Sequence, residues 1–341
     1  MARNNRIFYA CQAVIIMPTG VAPANTGIVR GLQSVGMNSN FTLDQVFEIG
    51  QLEIYENIED VADIEVSLEK VIDGEKLIYN LASGGTCKTS IVAASKKRSD
   101  VYVGLFDDGQ DNATGVPRNV CWNSGMYTSS VSYSYSVDGS ATESVTLVGN
   151  DRFWNADTAL GAGDGNAAAK WGTSPGSAPT TGEFDGTDSP NSGVVRRVNV
   201  DLEGSTLPAI VKSQKGDDAT GLGGGFHVQS ISVSADFGQE NILELGRFGP
   251  YARYATFPIE VTCEFEVIAT SGDLKTVSGI GGNLSNETIL IKDTAGTVLD
   301  LKAKNKLSSV SYSGGDTGGG NATVSYSFSN FNGLTVVDGG G

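Results

Sequence analysis

Apolar and polar positions alternate along much of this chain, and the alternation predicts strands. Ile64, Val66 and Leu68 are separated by Glu65, Ser67 and Glu69. Ile259, Val261, Cys263, Phe265 and Val267 are separated by Glu260, Thr262, Glu264 and Glu266. A period of two puts the apolar set on one face of a sheet and the glutamates on the other. A one-residue slip would bury the glutamates, so the pairing register is strongly specified. Val131, Tyr133, Tyr135 and Val137 alternate with serines, as do Val324, Tyr326 and Phe328. These read as half-buried antiparallel strands with hydroxyls on the open face. Residues 7–17, 28–37 and Val101–Phe106 read as further strands. Two short helices are predicted. In the first, Thr42 and Gln45 form a capping-box pattern and Gly50 is a natural stop; in the second, Asp236 and Gln239 could cap and Gly246 stops it.

The pattern occurs twice. Ser34 through Tyr55 corresponds to Ser230 through Tyr251 at one constant offset, which carries Gly50 onto Gly246 and slips by one where Ile64 meets Ile259. Ser129-Ser130-Val131-Ser132-Tyr133-Ser134 recurs letter for letter as Ser308-Ser309-Val310-Ser311-Tyr312-Ser313. Val101–Phe106 has Thr288–Ile291 as its counterpart. Fixed-period self-similarity implies two related units. The expected organisation is a first unit over 1–149, a Gly/Ala/Asp-rich linker or insertion over 150–192, and a second unit over 193–341. The fold class is all-β with short helices: two tandem β-sandwich or barrel-like domains related by internal duplication. Trp154 and Trp171 argue that part of the linker docks on something. The tail from Asp338 to Gly341 reads as disordered or a short arm.

Composition narrows the function. The 341 residues suffice for two ordinary cores. Hydrophobic residues make up 39% and charged residues 18%, as in a folded chain. The net charge of −16 repels the phosphate backbone, which argues against a nucleic-acid-gripping protein. It leaves room for a protein that DNA must pass without sticking. Cys11, Cys87, Cys121 and Cys263 form no CxxC and read as buried or half-buried thiols in a reduced compartment. No apolar run is long enough to span a bilayer. Arg3 and Arg6 before an apolar stretch, with Ala22-Pro23-Ala24 after it, superficially resemble a secretory signal; Tyr9, Gln12 and the Val-Ile-Ile run favour an opening strand.

Most sites of chemistry are excluded residue by residue. Gly84-Gly85-Thr86-Cys87-Lys88-Thr89 has Cys87 where a phosphate loop needs glycine. Gly161–Gly165 neither follows a strand nor opens a helix. Asp107, Asp108 and Asp111 lack the bidentate glutamate of a calcium loop and read as a solvated turn. His227 is the one histidine, so a multi-histidine metal site is impossible and a Ser-His-Asp site has a single candidate base. No catalytic residue, cofactor or metal is expected.

The second copy, Val228 to Tyr254 followed by Phe257-Pro258-Ile259-Glu260-Val261, resembles structural proteins of bacteriophage virions, and within them the tail tube proteins of long-tailed phages. About forty residues per copy carry the resemblance; the first copy departs from it, with Gln51–Tyr55 in place of Arg247–Tyr251. The resemblance implies a non-enzymatic virion protein, made in the host cytoplasm and resident in the tail. It further implies sandwich-like domains whose inner sheets join across subunits, with rings stacked into a conduit for DNA. Family tubes place six domains around, so two copies per chain suggest a homotrimeric ring, with a hexamer of chains as second choice. Other tail proteins are the implied partners; DNA passes without specific binding, and no membrane is involved. Glu65, Glu69, Glu260, Glu264 and Glu266 either line an acidic lumen or form the solvated outside of a sheet. Tyr55, Phe248, Tyr251 and Tyr254 are candidates for an inter-subunit loop. The alternatives are another phage tail or decoration protein, a secreted adhesin or carbohydrate-binding module, or a hydrolase built on His227.

Overall fold

The computed structural model describes residues 6–21, 23–108, 117–155, 193–214, 225–315 and 320–339. Most of the expected linker, with Trp171 and the 161–165 glycines, lies outside the described residues, as does Asp111. Strands dominate. The first half supplies β1 (Gln12–Pro18), β2 (Leu32–Asn40), β3 (Leu43–Phe47), β4 (Ile54–Glu59), β5 (Asp63–Val71), β6 (Lys88–Ser90), β7 (Ser99–Leu105), β8 (Asn119–Ser136), β9 (Thr142–Gly149) and β10 (Asp151–Asn155). The second half supplies β11 (Val228–Asp236), β12 (Gln239–Ile242), β13 (Ala252–Ala255), β14 (Glu260–Ile268), β15 (Leu290–Lys292), β16 (Val298–Asp300), β17 (Lys306–Ser313), β18 (Thr323–Phe331) and β19 (Thr335–Val337). The helices α1 (Ile78–Ala82), α2 (Ile91–Ala94) and α3 (Ala209–Ser213) are short. The fold is all-β with short helices.

An 11-stranded sheet is the frame, with the path β17-β18-β14-β11-β8-β9-β5-β2. The first and second halves each contribute one four-strand run, β8-β9-β5-β2 and β17-β18-β14-β11, with the same order and antiparallel pairing. Their irregularities also coincide. A bulge falls between Leu32 and Ser34 against β5 and between Val228 and Ser230 against β14. Another falls between Thr128 and Ser130 in β8 and between Leu307 and Ser309 in β17. The runs meet where β8 pairs β11, from Ser136↔Ser230 to Ser130↔Asp236.

Strand β8 is long enough to serve two layers. Its later part lies in the path, while its earlier part pairs β7 and β10, and β1 adds to β7. Gly125 sits at the transition with φ +64 and donates its N–H to Asp100 Oδ1 at 2.8 Å. That conformation is open to glycine at little cost and lets the strand bend. A second sheet, β15-β16-β19-β6, draws its strands from both halves. Its Ile291, Leu299 and Val336 share one core with Val66, Val233 and Phe265. Burial follows the predicted alternation in β5 and β14. Cys11, Cys121 and Cys263 are buried free thiols and Cys87 is half-buried.

Four expectations are corrected. The segments read as capped helices are hairpins: β3 pairs β4 and β12 pairs β13. Gly50 (φ +98) and Gly246 (φ +84) lie in the turn segments, and a helix stop and a tight turn ask for the same left-handed glycine. A helix this short needs a packing surface, whereas Val46, Phe47, Ile54 and Tyr55 favour strand. The ladders also place Ile64 where Val261 sits, not Ile259, because Val35 faces Leu68 and Ile231 faces Phe265. A shift of two keeps every side chain on its face, so alternation alone does not detect it. Thr288–Ile291 is no counterpart of β7: β15 pairs β16, while β7 pairs β1 and β8. Finally, Asp338 is buried and accepts from Asn80 Nδ2 at 2.9 Å, so the tail is anchored at its start.

The core and the free edge should respond differently to truncation. Phe265 is fully buried and meets Phe328 edge-on, ring centroids 6.0 Å apart. Phe265→Ala is expected to cost about 3–5 kcal/mol in urea unfolding. Tyr312→Ala, on an edge strand and 52% exposed, should stay within about 0.5 kcal/mol in the isolated chain.

Candidate assembly surface

The sheet has one face in the core and one open face. The core face is set by β-branched and aromatic residues, and the open face by Ser, Thr and carboxylates. One row across the ladders reads Ser34, Glu69, Ser144, Ser132, Ser234, Thr262, Ser329 and Lys306. All five predicted glutamates lie on this face: Glu65 and Glu69 on β5, Glu260, Glu264 and Glu266 on β14. Glu65, Glu260 and Glu264 are exposed, while Glu69 and Glu266 are half-buried. Strands β9, β8 and β11 separate the two acidic stripes, which puts them on the order of 20 Å apart at ordinary strand spacing. Asp63 and Asp236 add to the same face, and Ser230 Oγ donates to Glu266 Oε2 at 3.3 Å.

The predicted aromatic loop divides in two. Phe248, Tyr251 and Tyr254 belong to the β12–β13 hairpin, and Tyr55 stands apart on β4. The second hairpin lies against the first half. Arg253, buried, donates from Nη2 to Asp63 Oδ1 at 2.7 Å, and Lys96 Nζ sits 5.3 Å from the Tyr254 ring centroid. Gln239 Nε2 donates to the Thr128 carbonyl at 2.8 Å. The turn Arg247–Tyr251 and residues 59–62 line a cleft of about 610 Å³.

Two features of this surface escaped sequence reasoning. The outer edges of β2 and β17 are unpaired among the described residues. On β17, Tyr312 is exposed, although its counterpart Tyr133 is buried. Nothing in the sequence marks it, since Ser308–Ser313 repeats Ser129–Ser134 letter for letter and only the end of the sheet leaves one copy uncovered. The other feature is a buried charge. Glu143 on β9 is fully buried, opposite the buried Lys70 on β5. Its carboxylate accepts from the amides of Ile78 (2.6 Å) and Tyr79 (3.1 Å) and from the Tyr133 hydroxyl (3.1 Å), and so ties α1 to the sheet. Lys70 Nζ donates to Asp73 Oδ1 at 3.2 Å and to the Lys76 carbonyl at 2.9 Å. In the second run Val324 and Val267 occupy the equivalent places. Burial pushes the Glu143 carboxyl up, against the opposing pull of Lys70 and its hydrogen-bond donors.

His227 precedes β11, and its carbonyl accepts from the Ile268 amide at 3.0 Å. No group of three or more His, Cys, Asp or Glu among the described residues could hold a metal ion. No described helix is long and apolar enough to cross a membrane.

No protein-family model matches the chain, and no curated protein matches it. Among solved structures, a chain of the cryo-EM structure of the anti-feeding prophage baseplate, 6-fold symmetrised, matches with a TM-score of 0.31 and 9% identity. The match covers 45% of this chain and 97% of that one.

Glu143 should give the fold a measurable pH dependence. An unfolded glutamate titrates near about 4.3, and the native group titrates above it. Between the two values the native state binds more proton, so this contribution to stability falls as pH rises. Relative to Glu143→Gln, the natural chain should lose stability from about pH 4 upward and level off above the native pKa. Urea unfolding across that range checks the slope, and a rise with pH would contradict it. Glu143→Ala, which leaves three buried donors without their acceptor, should cost about 3–5 kcal/mol at neutral pH.

Proposed function

We propose that this chain is a non-enzymatic structural subunit of a phage-type virion, and that it assembles with copies of itself into stacked rings of a tail tube. The observation that carries the reading is the joint between the two runs. Within one chain, the third strand of one run pairs the first strand of the other. The same two strands, β17 and β2, are left open at the ends of the path. A surface that fits its own repeat head to tail propagates until it closes, and closure removes both edges. By analogy with β8 on β11, β17 would lie on β2 of the next copy, with Ser311 opposite Asn38 as Ser132 is opposite Ser234. Edge residues half covered in one chain would then be buried. Three chains of two runs each give a six-run ring.

The open face supports a conduit. Carboxylates on β5 and β14 with hydroxyls between them repel phosphate and offer no cationic grip to a duplex. Internal duplication, by this reading, is what makes the two joints alike.

Two outcomes are expected. With Asn38→Cys and Ser311→Cys in one chain, oxidation of assembled protein should give covalent multimers; Asn38→Cys with Ser309→Cys, a slipped pair, should not. Paired Cα atoms sit about 4.5–5.5 Å apart in such ladders, within disulfide reach. Electron microscopy of the same sample should show rings or hollow cylinders, and a strictly monomeric protein in virion-like buffers would defeat the reading. Replacing Glu65, Glu69, Glu264 and Glu266 with Gln should preserve cylinders yet reduce delivery of DNA by virions carrying the variant. Loss of the cylinders would instead make these side chains interface residues.

A further inference from the structure

The two hairpins are equivalent in register and differ in what their bases meet. Leu43↔Glu59 and Gln45↔Asn57 in the first match Gln239↔Ala255 and Asn241↔Arg253 in the second. Each follows the first strand of its run. The second hairpin crosses the joint and lies against the neighbouring run, held by Arg253 on Asp63, Gln239 on Thr128 and Tyr254 by Lys96. Every residue of β3 and β4 is exposed. The tips are alike, with Ile49 and Leu52 exposed in one and Leu245 and Phe248 in the other; the difference is at the base, where Arg253 and Ala255 of the second hairpin are buried and Asn57 and Glu59 of the first are exposed. An apolar projection of this extent is costly to leave in water and marks an interaction surface. It emerges beside β2, the open edge of the path.

From this equivalence we infer that the Leu43–Glu59 hairpin docks on the second half of the next copy of this chain, as the Gln239–Ala255 hairpin docks on the first half within the chain. This rests on the self-assembly reading, which brings β17 of a second copy against β2. The ladders name the landing site. Glu260 stands where Asp63 stands, Leu307 where Thr128 stands, and Phe331 where Asn150 stands. Phe331 and the nearby Phe257 are both exposed. The chemistry of the two contacts therefore differs. The contact within the chain centres on a buried ion pair; the contact between chains sets apolar hairpin residues against Phe257 and Phe331, with Asn57 where the arginine would be. With both contacts made, hairpins would overlap tip to base around the whole ring.

The test uses the full chain and reads assembly by sedimentation and thermal unfolding in parallel. Leu52→Asp with Ile58→Asp should abolish assembly while leaving the unfolding midpoint of the unassembled chain little changed, since both side chains are exposed in one chain and their equivalents Phe248 and Tyr254 lie beside residues of the first half. Asn57→Arg should recreate the arginine–carboxylate pair in the contact between chains and lower the concentration needed for assembly severalfold. Adding Glu260→Gln should cancel that gain. Undiminished assembly of the double aspartate variant, or a gain from Asn57→Arg that survives Glu260→Gln, overturns the docking assignment while the self-assembly reading stands. A natural chain that never assembles overturns both.

Discussion

The pairing of β8 with β11 is the contact on which the rest of this molecule depends. It converts two runs of strands into one sheet and sets the register from Ser136↔Ser230 to Ser130↔Asp236. Because side chains alternate with a period of two, that register decides which side of the whole sheet is apolar. Val131, Tyr133 and Tyr135 meet Ala235, Val233 and Ile231 across it, and all six are buried. The same pairing draws the second hairpin onto the first half and leaves β2 and β17 as the ends of the path.

Polar groups in the interior mark where the two halves differ. The first half buries Glu143 and Lys70 and satisfies them with the amides of α1, the Tyr133 hydroxyl and the Asp73–Lys76 turn. The second half has valines in the matching places. A buried charge with its partners in place gives specificity of arrangement more than net stability. Here it fixes α1 over β8 and β9. Tyr135 and Asp293, 3.3 Å apart and buried, link the halves directly. So does β6, which pairs β19 from the far end of the chain. The halves are built on one plan but share one interior.

Much of the strand framework was legible from alternation, and so was the side of the sheet on which Glu65, Glu69, Glu260, Glu264 and Glu266 would fall. The segments around Thr42–Ile49 and Asp236–Gly246 were not. Capping residues and a glycine serve a helix end and a hairpin turn alike, and pairing with the segment beyond the turn decides between them. The offset at Ile64 failed for a related reason: residues two apart on a strand are interchangeable to a pattern of period two.

Local chemistry along the chain determined the strands, their inward and outward faces, the acidic open surface and the likeness of the two halves, because alternation and charge are properties of adjacent residues. The partner of each edge was decided only by tertiary structure. Pairing of β8 with β11, the burial of Arg253 on Asp63 and the exposure of Tyr312 where Tyr133 is buried all join residues far apart in the chain. Which of two equivalent strands finds a neighbour depends on where the sheet stops, and no stretch of sequence carries that information by itself.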